Sequence, residues 1–523
     1  MPKSPLANQT PGVYINEISA FPNSNIEVAT AIPAFVGYTS QASYGGKSCI
    51  NSPVKISSFQ EFKAIFVLPD PPAPAAQNYP QYYVIQQKNA PDKGKYYHLN
   101  GDVYTVEPDP GTIYYLYNSV KLFFENGGRE AYVISVGGYG VPTGSPIDPG
   151  CQIQNPNVKL ADLMGGIKEL KKQSEVTIYV VPEATLLKQE DNGRLMEAML
   201  LQCGDMGTTI SLFDIIGGRN PDPILYTQDI QEFRDKTGNN DLDRGAAYYP
   251  FLNTTITDSG EVDYTNLNGG DTSVLADIVN PPSMPNVLAA QILREIQNPT
   301  KGKTASQLNQ ALMDSSTQYN QLMGIVLHEI NVQPTSGVMA GLFALVDNIK
   351  GVWHAPSNIS PAGVVGVTLD INDSMQAGLI ADAIGGKSIN AIRFFIGQGI
   401  MIWGARTLDG FSQDWRYISV RRTVTMIEQS VKLAAQAYVF AANDANTWSS
   451  VKVMIENFLT NIWKQGALQG AKAADAFNVV VGLGSTMTAE DILEGRMIVS
   501  VKLAVTHPAE FMIIQVEQEM ATA

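Results

Sequence analysis

Apolar residues along this chain fall alternately into short near-continuous runs and into stretches with helical spacing, and the alternation is most regular between residues 114 and 252. A helical stretch from Tyr117 to Asn126 closes at Gly127-Gly128 and leads into the run Ala131 to Val136. The order then repeats as helix Lys159 to Lys172, strand Val176 to Val181, helix Arg194 to Gln202, strand Thr208 to Ile215, helix Gln228 to Lys236 and strand Ala246 to Leu252. Strands separated by helices need crossover connections, so this region predicts an α/β layer with mainly parallel strands. The segment VTIYVVPE is apolar nearly throughout, as a strand covered on both faces requires.

The flanking regions are patterned differently. Near the start, Pro11-Gly12 introduces a β-like run from Val13 to Ile18, and a second run, Ala31 to Tyr38, begins the body. Pro69 to Pro80 reads as a proline-rich loop, and the tyrosine-dense stretch from Tyr82 to Tyr117 as an inserted, peripheral β hairpin or small β subdomain. After a polar loop beyond Asn253, helices are predicted over Val287 to Gln297, Ala305 to Ile330 and Val338 to Ile349. The last 170 residues predict a second unit, with helices Val424 to Phe440 and Trp448 to Gln465 and strands Asn478 to Leu483 and Arg496 to Val505. It opens on INAIRFFIGQGIMIWGARTLDGFSQDWRYISVRR, whose first half reads as buried strands and whose second half reads as a strand ending in Arg421 and Arg422. Paired cations just before a helix starting near Thr423 oppose its dipole, so they call for a partner, either a carboxylate in the chain or another subunit.

Composition narrows the function classes. Thirty-five basic against fifty acidic residues give a net charge of −15, which argues against nonspecific nucleic-acid binding and against docking on an anionic bilayer. Three cysteines without metal-ligand spacing suit a reducing cytoplasm. No apolar signal segment follows the N-terminus, and the longest apolar run, Ala391 to Ala405, contains Arg393 and is too short to span a bilayer, so no membrane insertion is expected.

Catalytic signals fail one by one. A phosphate loop requires glycine where Gln41 and Ala381 stand ahead of Gly46-Lys47-Ser48 and Gly386-Lys387-Ser388. His328-Glu329 starts like a zinc-protease helix, but Val332 replaces the second histidine. No serine lies in a G-x-S-x-G turn, and Glu490-Asp491 is explained by a helix start that Thr488 caps. No catalytic residue, metal or cofactor is expected.

Several ordered blocks do carry a resemblance. TPGVYINEI, AIPAFVGYT, PTSGVMAGLFALVDNIKGVWHAPSN, INAIRFFIGQGIMIWGARTL, DWRYISVRR, NTWSSVKVMIENFLTNIWKQGALQG and GRMIVSVKLAVTHPAEFMI resemble contractile tail sheath proteins, while the middle is similar only in its α/β pattern and VPEA. The resemblance implies a multidomain α/β chain: an N-terminal arm over 1–28, a middle α/β domain over 29–335 with a β-rich insertion at about 69–113, a sheath-type core over 336–506 and a C-terminal arm over 507–523. It implies a structural subunit that polymerises as stacked hexameric rings around an inner tube, with baseplate and terminal cap proteins as further partners. The particle is expected to assemble in the cytoplasm and then be released or membrane-anchored. Val13, Tyr14, Ile15, Phe511, Ile513 and Ile514 are the candidate inter-subunit arm residues, the alternative being strands tied into their own sheet. Arg416, Arg421, Arg422, Lys432 and Lys452 are candidate subunit or tube contacts, with intrachain salt bridges as the alternative for the arginines. Length and N-terminal wording favour an injection system over a virion tail sheath, and an α/β enzyme without recognisable motifs is the remote alternative.

Overall fold

The computed structural model describes residues 28–68, 80–298 and 302–511. In chain order the first elements are β1 (Pro33–Thr39), β2 (Val54–Ile56), α1 (Phe59–Phe66), β3 (Tyr82–Gln87), β4 (Tyr97–Leu99), β5 (Asp102–Pro108), α2 (Leu116–Glu125), β6 (Ala131–Gly138), α3 (Leu160–Glu169), β7 (Ile178–Val180), α4 (Gln189–Met206), β8 (Ile210–Asp214), α5 (Tyr226–Lys236) and β9 (Gly245–Tyr249). They are followed by β10 (Leu252–Thr254), α6 (Val287–Gln297), α7 (Ala305–Ser315), α8 (Thr317–Ile330), β11 (Val332–Gln333), α9 (Ser336–Lys350), β12 (Val364–Val367), α10 (Asp373–Ile380), β13 (Asn390–Phe395), β14 (Gly399–Trp403), α11 (Ile418–Ala435), α12 (Ala445–Lys464), β15 (Phe477–Val481) and β16 (Val499–Leu503).

An eight-stranded sheet in the order β14-β13-β9-β8-β7-β1-β6-β2 organises the larger unit. Its six central strands run parallel, and β14 and β2 close the two edges antiparallel. Successive side chains of β1 point to opposite faces, so Ala34, Val36 and Tyr38 enter the core shared with α3, α4 and α5, while Phe35 enters the core shared with α1, α2 and α9. The predicted parallel layer is therefore present, and both faces are covered.

Two carboxylates at the C-terminal edge of this sheet fix the helices on the second face. Glu183, just beyond β7, accepts the backbone N–H of Leu116 at 2.9 Å through Oε1, at the start of α2. Asp214, the last residue of β8, accepts from the backbone N–H groups and the hydroxyls of Thr335 and Ser336 at the start of α9. Orphan helix N–H groups and the positive dipole end both favour an anion there, so the sheet edge sets where each helix begins. The helices then approach closely: a Cβ at Gly337 would lie 2.6 Å from the Ser119 carbonyl oxygen, and one at Gly341 2.6 Å from that of Phe123. Burial pushes the Glu183 carboxyl up to about 7, against the pull of the backbone N–H groups around it.

Elsewhere the structure departs from the sequence reading. Ala305 to Ile330 is two helices, because Ser316 leaves the helical conformation and caps α8 by accepting the Tyr319 N–H at 3.2 Å. The insertion sheet, ordered β3-β5-β4, is not peripheral: Tyr82, Leu99 and Tyr104 are buried in the large core. Glu329 of α8 helps lock it there, pairing with Lys95 at 2.9 Å and with buried Arg219 at 3.1 Å. Burial opposes the charge on Glu329, but Arg219 and Lys95 outweigh it and hold the carboxyl below the usual range.

The boundary expected at residue 336 is also corrected. Helix α9 packs on α2, and β13 pairs with β9, so both belong to the large unit. A separate core is built from Val352, Trp353, α11, α12, β15 and β16. No described helix is long and apolar enough to cross a membrane.

Two outcomes follow from this packing. Gly341→Leu is expected to lose about 1–3 kcal/mol in urea unfolding, because the added atoms meet the α2 backbone; Gly378→Ala, whose Cβ meets nothing in α10, is expected to gain about 0.5–1 kcal/mol. For Glu183, the folded chain keeps a proton that the unfolded chain releases above its ordinary value of 4.5, so this stabilisation is complete below that value and is lost as pH rises towards about 7. Comparing urea midpoints of wild type and Glu183→Gln at about pH 5 and about pH 8 isolates it: the variant is expected to lose less stability over that interval.

Candidate functional site at the roots of the chain ends

Both ends of the described chain are fastened beside the first turns of α11. The segment Trp415 to Val420, predicted as a strand, is instead the approach to and opening of this helix, with Tyr417 as the extended N-cap residue. Every residue from Ile418 to Thr423 is buried, so the start of the helix shows no polar stripe and its period was hidden.

Arg422 answers the question its position raised. Its Nη1 donates to Asp347 Oδ1 at 2.9 Å and its Nη2 to Oδ2 at 2.5 Å, a two-pronged pair with a carboxylate of α9. Nη2 also donates to the Thr30 carbonyl at 2.9 Å, and the Thr30 hydroxyl donates to Asp347 at 2.6 Å. The guanidinium lies 4.7 Å from the Phe343 ring centre, and both charged side chains are only 6% exposed. The cation that opposes the α11 dipole is thus neutralised within the chain, and the root of the N-terminal segment is tied in with it.

Arg421 is less well matched. It lies 3.4 Å from Asp243 and 3.6 Å from Glu428, with Trp415 against its face at 4.0 Å. Arg244 reaches the same Asp243 carboxylate at 3.8 Å. Burial, followed by repulsion from Arg244, lowers the proton affinity of Arg421, while Glu428 and Asp243 act against both.

The C-terminal root has its own tie. Glu510 accepts from Arg406 Nε at 2.9 Å and Nη2 at 2.5 Å, and from the Tyr417 hydroxyl at 3.1 Å. Burial, reinforced by Glu510, raises the Tyr417 hydroxyl above its ordinary value. Sequence reasoning missed Thr30, Asp347, Arg406 and Glu510. The available signals were Glu510 as the lone charge between Pro508 and the apolar run Phe511 to Ile514, and Asp347 as the lone carboxylate of the predicted helix Val338 to Ile349.

The remaining candidates are dispersed. Arg416 Nε donates to the Gly410 carbonyl at 3.0 Å, Lys432 is exposed on α11, and Lys452 lies 3.8 Å from Glu456 along α12. Phe511 is 73% exposed at the last described position. Val13, Tyr14, Ile15, Ile513 and Ile514 lie outside the described residues. Between α11 and the N-terminal ends of β1, β7 and β8 lies a half-open cleft of about 440 Å³. This is the edge opposite to the one where open α/β sheets ordinarily bind ligands.

Comparison with known proteins places this geometry. Residues 412–519 match the family model of the phage tail sheath C-terminal domain. Over 135 residues, 26% of this chain and 20% of the relative, the sequence is 31% identical to the tail sheath protein of Vibrio phage KVP40. Over 193 residues, 36% of this chain and 38% of the relative, it is 28% identical to the tail sheath protein of Burkholderia phage BcepMu. The chain thus spans about a fifth to two fifths of the length of these curated relatives. Among solved structures, a chain of the anti-feeding prophage baseplate in its contracted state superposes with a TM-score of 0.62 at 23% identity, covering 98% of this chain and 99% of that one. A chain of the PVC extracellular contractile injection system sheath complex, also contracted, gives 0.57 at 24% identity, covering 98% of each. The multidomain α/β fold is that of these assemblies.

The two ties differ in burial and so in expected cost. Arg422→Leu leaves Asp347 buried without its partner and is expected to lose about 3–5 kcal/mol in urea unfolding. Glu510→Gln is expected to shift global stability by less than about 1 kcal/mol while accelerating hydrogen exchange at residues 504–511, read by mass spectrometry.

Proposed function

We propose that this chain, which carries a phage tail sheath C-terminal domain on the fold of contractile sheath assemblies, is the structural sheath subunit of a contractile phage tail-like injection system. It polymerises as stacked hexameric rings around an inner tube, meets baseplate and terminal cap proteins at the ends, and shortens to drive the tube into a target. The observation that carries this reading is the junction at α11, where the first and the last described segments are tied to neighbouring turns of a single helix. A body held in this way can turn while its terminal segments keep it linked to its neighbours.

The smaller unit supplies a receptor for such segments. Among the described residues β15 and β16 ladder only with each other, and a two-stranded sheet with free outer edges accepts extended strands from outside. The terminal segments with Val13 to Ile15 and Phe511 to Ile514 are the proposed donors, and Lys432, Lys452 and Arg416 the proposed contacts to neighbours or tube. Arg421 and Arg422 act first within the subunit. Repeated head to tail, such contacts build rings and helical arrays.

Contraction needs no nucleotide in this scheme. If each subunit buries roughly 100 Å² more apolar surface in the shortened array, it gains about 2.5 kcal/mol, summed over all coupled subunits. A virion tail sheath is the second reading, favoured by the phage origin of the curated relatives; the end-to-end superposition on injection-system assemblies favours the first. An enzymatic role is disfavoured by the use of Glu183 and Asp214 as helix caps at the sheet edge where catalytic groups would stand.

Deleting the residues before Ala20 tests the linkage. The truncated chain is expected to stay folded and soluble, with an unchanged circular dichroism spectrum, and to form no tubes by negative-stain electron microscopy; long tubes of normal diameter would reject the N-terminal segment as a link.

A further inference from the structure

The cleft between the two units is lined by more cations than its carboxylates match. Four of its lining residues are basic, Lys55, Arg244, Arg421 and Arg422, and two are acidic, Glu130 and Glu175. Both acids pair with Lys55, and Asp347 neutralises Arg422. Arg244 and Arg421 are left to share Asp243, at 3.8 and 3.4 Å. The other carboxylate near Arg421, Glu428, stands 3.6 Å from Nη2 and is 53% exposed, so water screens it.

Arg421 keeps one edge open. The residue is buried, Trp415 covers a face of its guanidinium at 4.0 Å, and among the described residues nothing accepts from its Nε. Nε and Nη2 together form the fork that takes both oxygens of a carboxylate, and Arg406 uses the same two atoms on Glu510. On the sheet side of the cleft, just ahead of β8, the buried hydroxyl oxygen of Thr208 likewise has no partner among the described residues. Ile32, Ile210, Met426 and Leu433 supply apolar lining. Two orphaned polar groups facing apolar walls in a half-open space of about 440 Å³ are the build of a small-molecule site.

We propose that this cleft binds a small organic carboxylate with an apolar body. One oxygen accepts from Arg421 Nε and the other from Nη2, the Thr208 hydroxyl donates to one of them, and the body lies against Ile32, Ile210, Met426 and Leu433. Bound in this way, the ligand joins α11 of the smaller unit to the start of β8 in the larger one, beside the pair of Arg422 and Asp347. The site is complete in one subunit and stands whether or not tubes form.

Hexanoate is the probe, with 1-hexanol as its uncharged counterpart, on the full chain kept unassembled. NMR of methyl-labelled methionines reads the site, because Met426 is the one methionine among its described lining residues. The Met426 signal is expected to move saturably with hexanoate, and hexanol to bind about tenfold or more weakly, the size of one charge-assisted hydrogen bond. Thr208→Val removes an unpaired hydroxyl, leaves the fold intact and is expected to weaken hexanoate binding about threefold to tenfold. Glu428→Gln removes the competing surface carboxylate and is expected to tighten it about twofold to fivefold. Arg421→Gln is expected to abolish the saturable shift while the other methionine signals keep their positions; if they collapse, the Thr208 and Glu428 variants carry the test. The absence of a saturable shift in wild type up to about 20 mM hexanoate, where a millimolar site is nearly filled, overturns the proposal. So do equal affinities for hexanoate and hexanol, or an affinity unchanged in both Thr208→Val and Glu428→Gln. A shift seen only after deletion of residues 1–27 also overturns it, since the chain's own N-terminal segment would then be the occupant.

Discussion

The buried pair of Arg422 and Asp347 is the contact on which the arrangement of the two units depends. It joins α11 of the smaller unit to α9 of the larger one and takes in Thr30, which lies 392 positions from Arg422. A buried ion pair adds little net stability compared with apolar residues of the same shape, because desolvation offsets the attraction. What it supplies is geometry. The two-pronged contact fits one rotation and one height of α11 against α9, and any other placement leaves a charge buried alone.

The position of α9 is in turn set from the sheet. Asp214 at the end of β8 caps α9, and Glu183 beyond β7 caps α2, so the two helices start at fixed heights and their backbones meet across Gly337 and Gly341. The carboxylates standing where a doubly wound enzyme would place its chemistry are thereby committed to structure. The opposite edge stays open and carries the cleft and the N-terminal root. The sheet frames the fold, and the cleft and the N-terminal root lie at the edge opposite to the one where open α/β sheets ordinarily bind ligands.

Much of this frame was legible in the sequence. Helix Val287–Gln297 has the predicted bounds, and the parallel strands lie where the apolar runs are, because a strand covered on both faces needs unbroken apolar character. The errors have local causes. Ala305 to Ile330 hid a cap at Ser316, since one serine in an apolar period looks like a tolerated polar residue. Trp415 to Val420 alternates in type, but from Ile418 to Thr423 burial on all sides removes the polar stripe that would have marked a helix. The need for a partner at Arg422 was legible from its place at a helix start. The identity of that partner was not, because Asp347 lies 75 positions away and only the α2–α9 packing brings it near.

The two ties at α11 also define a path for load. Tyr417 holds Glu510 of the C-terminal root and Arg422 holds Thr30 of the N-terminal root. The two tying residues stand five positions apart, about 7.5 Å along the helix axis. Thr30 lies just ahead of β1 (Pro33–Thr39), so the N-terminal tie joins α11 to the eight-stranded sheet as well as to α9. The tie at Arg422 is 6% exposed on both partners, whereas Glu510 is 19% exposed. Water reaches the C-terminal tie more readily, and a hydrated pair exchanges its partners at lower cost than a dry one. Of the two joints, the N-terminal one sets the geometry and the C-terminal one is better placed to yield.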